Sequence, residues 1–163
     1  MPVTILNINI GVDNSMYSKN EWGKLKKVVV GIADNAQIPE VDSSLRHINY
    51  ADVKDELDIP TGKYPQIVVD EANEDLETFA DFLRKEGAEV VRPDITECNY
   101  YNYCPRDSVI VYKDKAIATP MPLRARRNEY QAYERHLENV HPYDIIRSDD
   151  LYNTDCLGDP DVL

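Results

Sequence analysis

The feature that most restricts this chain is an amphipathic helix set between two short apolar runs. Residues 70–86 put Ala72, Leu76, Phe79 and Leu83 on one face, acids crowd the first turns, and Gly87 follows as a C-terminal stop. Ahead of it, residues 25–32 read as a buried strand ending at Gly31; behind it, residues 88–92 return as a strand stopped by Pro93. A helix with one apolar face needs a sheet to cover it, so strand, helix and strand define an α/β layer.

The pattern then recurs. Apolar runs at 109–112 and 116–118, joined by the polar turn Lys113-Asp114-Lys115, predict a hairpin. Residues 128–140 predict a second helix with Tyr130, Tyr133, Leu137 and Val140 on one face, and residues 144–147 a short strand. Two similar α/β units of this kind stack around an axis. Between the first strand and the first helix, residues 34–65 are polar and broken by Pro39, Pro60, Gly62 and Pro65. They read as a long loop with little regular structure, a length often tied to function.

Composition narrows the class. At 163 residues, 42% of them hydrophobic, the chain fits one domain with a core rather than a disordered segment. Its 18 Lys and Arg stand against 30 Asp and Glu, a net charge of −12 that repels phosphate backbones, so nucleic acid is a poor partner. No run reaches the roughly 20 apolar residues of a membrane span. The start, Met1-Pro2-Val3-Thr4-Ile5-Leu6, lacks a basic stretch and a small-residue cleavage site. Three cysteines without zinc-type spacing fit a reducing cytoplasm better than a disulfide framework. They and His47, His136 and His141 are scattered, so no metal site is expected, and no glycine-rich phosphate loop points to a cofactor.

Chemistry concentrates in residues 100–130. Tyr101, Cys104, Arg106 and Asp107 form a polar cluster directly ahead of the strand that begins at Val109. A carboxylate at the mouth of a strand can point into a site while the strand is held in the core. Acid, hydroxyl and thiol together suit a cationic, hydrogen-bonding ligand. Arg106 can steer a substrate carboxylate or pair with a neighbouring acid, the ion pair being preferred. Arg124, Arg126 and Arg127 form a basic patch, either solvated, subunit-contacting or substrate-binding.

Several segments, in order, resemble the glycine and inosamine-phosphate amidinotransferases of the guanidino-group-modifying superfamily. They are Asn20-Glu21-Trp22-Gly23, Leu25-Lys26-Lys27-Val28-Val29-Val30-Gly31, Tyr64-Pro65-Gln66, Asp70-Glu71-Ala72-Asn73-Glu74-Asp75-Leu76, Val91-Arg92-Pro93, Pro105-Arg106-Asp107, Ala118-Thr119-Pro120-Met121, Arg124-Ala125-Arg126 and Glu129-Tyr130. They cover most of residues 20–135. The resemblance implies a pentein-type fold, a five-bladed α/β propeller of ββαβ blades. This chain would hold about two of them, as the N-terminal portion of a single domain. Two open blades would leave edges unburied, so self-association into a homo-oligomer is expected.

The resemblance also implies a reaction: transfer of an amidino group from arginine to an amine acceptor through a covalent cysteine intermediate. Asp107 then falls on a guanidino-binding position and Tyr101 on a pocket-lining one, although packing of Tyr101 with Tyr100 and Tyr103 stands equally. Arg106 and Arg124 are further candidates for substrate contact. Cys104 matches a position that need not be cysteine, and the catalytic thiol is expected beyond residue 163. Two alternatives stand beside this reading: a non-catalytic binding or regulatory module on the same fold, and an arginine deiminase- or hydrolase-type relative.

Overall fold

Three consecutive valines form the wall on which both halves of the chain are built. In the computed structural model, which describes residues 5–8, 18, 20, 22–96, 100–113, 115–119, 121–137 and 145–146, Val28, Val29 and Val30 are each fully buried. They belong to strand β2 (Lys27–Val30), which pairs antiparallel with β1 (Ile5–Ile8). Because side chains alternate along a strand, Val28 and Val30 enter one core while Val29 enters another. A strand buried on both faces reads as a continuous apolar run. Each such valine contributes about 1.5–3 kcal/mol of burial.

The segment after β2 departs from its sequence expectation. Read as a long loop, residues 34–65 instead hold the short pair β3 (Gln37–Ile38) and β4 (Gly62–Lys63) and the helix α1 (Ser43–Asn49). A 3-10 turn at Glu56–Asp58 follows α1. The cause is capping: Asp42 Oδ1 accepts from the Leu45 amide at 2.7 Å and from the Ser44 hydroxyl at 2.6 Å. A seven-residue helix is too short to show a period, and only Leu45 of it is buried.

Helix α2 (Gln66–Lys85) starts four residues before its expected first residue, Asp70, because Pro65 opens it. The added turn brings Val69 into the core with Leu76, Ala80 and Leu83, leaving Ala72 and Phe79 half-buried at its edge. Gly87 ends it at φ +88°, with the Ala88 amide donating back to the Leu83 carbonyl. The chain then returns as β5 (Glu89–Val91), parallel to β2.

The second half repeats this connection. A one-turn helix, α3 (Pro105–Ser108), leads into β6 (Val109–Tyr112), which pairs antiparallel with β7 (Lys115–Ala118). The run expected as an α-helix is wound as a 3-10 helix over Glu129–Leu137, burying Glu129, Ala132, Tyr133 and Leu137; Val140 lies outside the described residues. It leads to β8 (Ile145–Ile146), parallel to β7. Each unit is therefore an antiparallel pair, a helix and a returning parallel strand, in sheet order β1-β2-β5 and β6-β7-β8.

Two seams join the units. Asp94 donates its amide to the Ala132 carbonyl at 2.7 Å, and His136 Nε2 lies 2.6 Å from the Arg92 carbonyl. Arg92 itself donates to the Gly31 carbonyl at 2.6 Å and pairs with Glu77. At the end of β2 the backbone of Tyr103 passes so close that a Cβ on Gly31 would lie 2.5 Å from its Cα. Only glycine fits there. Among the described residues, no helix is long and apolar enough to cross a membrane.

Gly31→Ala is expected to cost about 1–3 kcal/mol through this overpacking, read as a fall in the urea midpoint at unchanged slope. A second expectation concerns pH. Burial holds the His136 imidazole below its ordinary pKa, with Arg135 adding to the effect against the Arg92 carbonyl and Asp94. Protonation therefore costs more in the fold than in the unfolded chain. The stability it contributes is complete above the unfolded pKa of about 6.5 and is lost as pH falls through the lower folded value. Thermal melts of His136→Gln should lose less stability than wild type as pH falls below about 6.5. Equal losses would refute the assignment.

Candidate functional site

The site begins with the backbone of α3. Cys104 occupies its N-cap position and Pro105 its first turn, where a missing N–H costs nothing. This turn delivers Asp107, exposed, and Ser108, buried, immediately before β6. The far end of the hairpin fixes that turn from the other side: Thr119 donates its hydroxyl to the Asp107 carbonyl and its amide, at 3.0 Å, to the Ser108 carbonyl. Asp107 is therefore presented at a strand entrance, as its sequence position suggests.

Arg126 holds its carboxylate. It ends a 3-10 turn, Arg124–Arg126, that follows Leu123. Its Nη1 lies 3.0 Å from Asp107 Oδ2, and its Nε lies 2.9 Å from Glu129 Oε2. The same Glu129 oxygen accepts the Ser108 hydroxyl at 2.8 Å. The guanidinium carbon stands 5.0 Å from the centre of the Tyr101 ring, a cation–π stack. Exposure grades along this chain of charges: the Asp107 side chain is 47% exposed, Arg126 10% and Glu129 not at all.

The protonation states follow from those surroundings. Burial works against the Arg126 charge, but Glu129 and Asp107 outweigh it and raise its pKa, so it stays a cation. Burial pushes the Glu129 carboxyl up, opposed by Arg126, the Ser108 hydroxyl and the Tyr101 backbone amide. The balance is upward, with Arg126 and Ser108 both donating to Oε2 while Oε1 is buried without a hydrogen-bond partner among the described residues. Burial, reinforced by Tyr64 and Tyr50, pushes the Tyr101 phenol up to about 12, so it is neutral and meets Arg126 through its ring.

Two residues singled out from sequence, Asp107 and Tyr101, are thus brought together, through a third. Tyr101 packs with Leu45 and Leu123, flanked by Tyr100 and Tyr103. Arg126 was grouped with Arg124 and Arg127 as a basic patch. The structure corrects this: Arg126 is buried while both neighbours are exposed. Arg124 donates its amide to the Ser44 hydroxyl at 3.1 Å, which ties α1 to the site. Arg106 is exposed, and the ion pair preferred for it is not formed among the described residues.

Glu129 was missed altogether. Arg126 ends one 3-10 helix and Glu129 begins the next, and the two-residue turn between them brings an acid three positions on back to the arginine. Cys104 is partly buried; Cys98, Cys156 and His141 lie outside the described residues. A cleft of about 210 Å³ between α2 and Tyr103, lined by Ala36, Tyr64, Val69, Ala72 and Leu76, is lined by neither Asp107 nor Arg126. Among the described residues no cluster of three His, Cys, Asp or Glu side chains could hold a metal.

A half-exposed carboxylate braced by a buried cation sits inside the stretch of sequence for which relatives are found. No protein-family model matches the chain. Over about 71% of its length, however, the chain is a homologue of the amidinotransferases. It is 36% identical over 128 residues to inosamine-phosphate amidinotransferase 1 of Streptomyces glaucescens, a match covering 71% of this chain and 37% of that protein. With the mitochondrial glycine amidinotransferase of Gallus gallus it shares 31% over 135 residues, 75% of this chain and 32% of the relative. The match therefore spans about a third of the length of these relatives.

Solved structures agree. The inosamine-phosphate amidinotransferase StrB1 of Streptomyces griseus superposes with a TM-score of 0.74 at 32% identity, covering 81% of this chain and 42% of that one. SxtG, an amidinotransferase of the saxitoxin biosynthetic pathway from Microseira wollei, gives 0.62 at 26% identity, with 81% and 41% covered.

Replacing Arg126 with Met is expected to destabilise the fold by about 3–5 kcal/mol, because it strands Glu129 as a buried, uncompensated charge. Denaturant unfolding followed by circular dichroism measures this. A loss below about 1 kcal/mol, the range of a surface pair, would contradict the burial assigned here.

Proposed function

We propose that this chain forms the guanidino-binding part of an amidinotransferase that moves the amidino group of arginine to an amine acceptor. The observation that carries the reading is Asp107. Within the homologous stretch it presents a half-exposed carboxylate at the head of β6, with one oxygen on Arg126. A guanidinium suits such a group because its N–H can make a charge-assisted hydrogen bond to the remaining oxygen, Oδ1. Holding the cation in one plane orients its central carbon for attack. Tyr101, neutral and with Arg126 over its ring, walls the site.

In this reading a cysteine thiolate from another part of the protein attacks the guanidinium carbon. The bond to the δ-nitrogen of arginine breaks as that nitrogen takes a proton, releasing ornithine. The amidino group, now on sulfur, passes to the attacking amine, and the thiolate is regenerated. The two ββαβ units are two blades of a five-bladed propeller, with Asp107 facing its axis. Partners are small molecules, arginine or another guanidino compound and an amine, and the compartment is the reducing cytoplasm.

The test uses the full-length protein containing this chain, incubated with L-arginine and, separately, with glycine, lysine or inosamine phosphate as acceptors. Ornithine released in step with an amidinated acceptor is expected. Asp107→Asn should lower kcat/KM for arginine about a hundredfold or more, the scale of losing one side of a desolvated charge pair. Unchanged kinetics in that variant would remove Asp107 from the site, and citrulline as the sole product would identify hydrolysis instead of transfer.

A further inference from the structure

Arg126 carries the same chemical group as the ligand proposed for Asp107. A guanidinium held 3.0 Å from the carboxylate is an internal competitor for it. If it closed on Asp107 with both arms, the pair would be neutral and both carboxylate oxygens occupied. Something must therefore keep this cation from satisfying itself on Asp107.

The geometry points to Glu129 as a positioning residue that keeps Asp107 open to a cationic ligand by holding and neutralising Arg126 from the buried side. This rests on the guanidino-binding reading of Asp107. Three observations carry it. Glu129 is fully buried and takes the Nε of Arg126 at 2.9 Å, while Nη1 reaches Asp107 and Nη2 lies buried without a hydrogen-bond partner among the described residues. Ser108, adjacent to Asp107 in α3, donates to the same Glu129 oxygen at 2.8 Å, which locks the anchor to the turn that carries Asp107. The guanidinium carbon also lies over the Tyr101 ring, 5.0 Å from its centre, a cation–π contact that adds a third point of attachment.

Charge supplies the rest. Asp107, Arg126 and Glu129 together carry one negative charge, so a guanidinium ligand meets an anionic site. Without the Glu129 charge the remaining pair is neutral, and Arg126 repels the incoming cation while competing for its partner. Glu129 touches no ligand in this scheme. It acts through Arg126.

The experiment measures, on the full-length protein, the affinities of L-arginine and of L-citrulline, its uncharged isostere, by calorimetric titration. Wild type should prefer arginine, and Asp107→Asn should abolish the preference. Glu129→Gln, which keeps the size and one acceptor oxygen but removes the charge, should weaken arginine about tenfold, roughly the size of one modest charge interaction. Citrulline should change by less than about twofold. Removing both charges in the double variant Arg126→Gln, Glu129→Gln leaves Asp107 as the one anion and should restore the preference for arginine. A purely structural role predicts no such rescue.

Equal weakening of both ligands by Glu129→Gln, or no change in either, overturns the inference while leaving Asp107 in place. No preference for arginine in wild type overturns the pocket itself and the inference with it. Should Glu129→Gln fail to fold, Glu129→Asp, which retains the charge, is expected to keep the preference, and its loss there counts against the inference.

Discussion

A guanidinium withdrawn from water and shared between two carboxylates is the constraint around which this molecule is arranged. Arg126 can be buried only because Glu129 lies beneath it and Asp107 at its outer edge. Such a pair is weak evidence for stability, since desolvating both ions cancels much of their attraction. What it fixes is position. Four separate pieces of chain, carrying Tyr101, Asp107 with Ser108, Arg126, and Glu129, converge on one planar group and cannot shift independently.

The rest of the fold serves that convergence. The valine strand anchors the first unit, and its Val29 reaches into the core of the second, against Val109, Ala116 and Tyr133. The Gly31 backbone then lets residues 101–104 cross the end of β2, with the Ile32 amide donating to the Asn102 carbonyl. That crossing sets where Tyr101 stands and where α3 begins. On the other side, α1 presses Leu45 against Tyr101 and Leu123, so an excursion remote in sequence forms part of the wall.

How far the sequence foretold this depends on the range of the interactions concerned. Helix α2 was legible because twenty residues give a period room to appear, and the β6–β7 hairpin because its two apolar runs flank a polar turn. The recurrence of the α/β unit was legible for the same reason. Asp107 stood out since a carboxylate against the start of an apolar strand is unusual by itself. By contrast α1 spans two turns and is made by a cap, and the pairing of β1 depends on a partner more than twenty residues away. Arg126 looked like one of three surface arginines because nothing local distinguishes the one whose countercharge is buried. Glu129 is recognisable only in three dimensions, where the turn between two 3-10 helices returns it to Arg126.

The central claim is that Asp107 grips a flat cationic group while Arg126 remains on its other oxygen. A crystal structure of the full-length protein with L-arginine bound tests it most directly. The account predicts the arginine guanidinium within hydrogen-bonding distance of Asp107 Oδ1, with Arg126 still on Oδ2 and Glu129. Arginine bound elsewhere, or an Asp107 carboxylate closed on Arg126 alone, would contradict it.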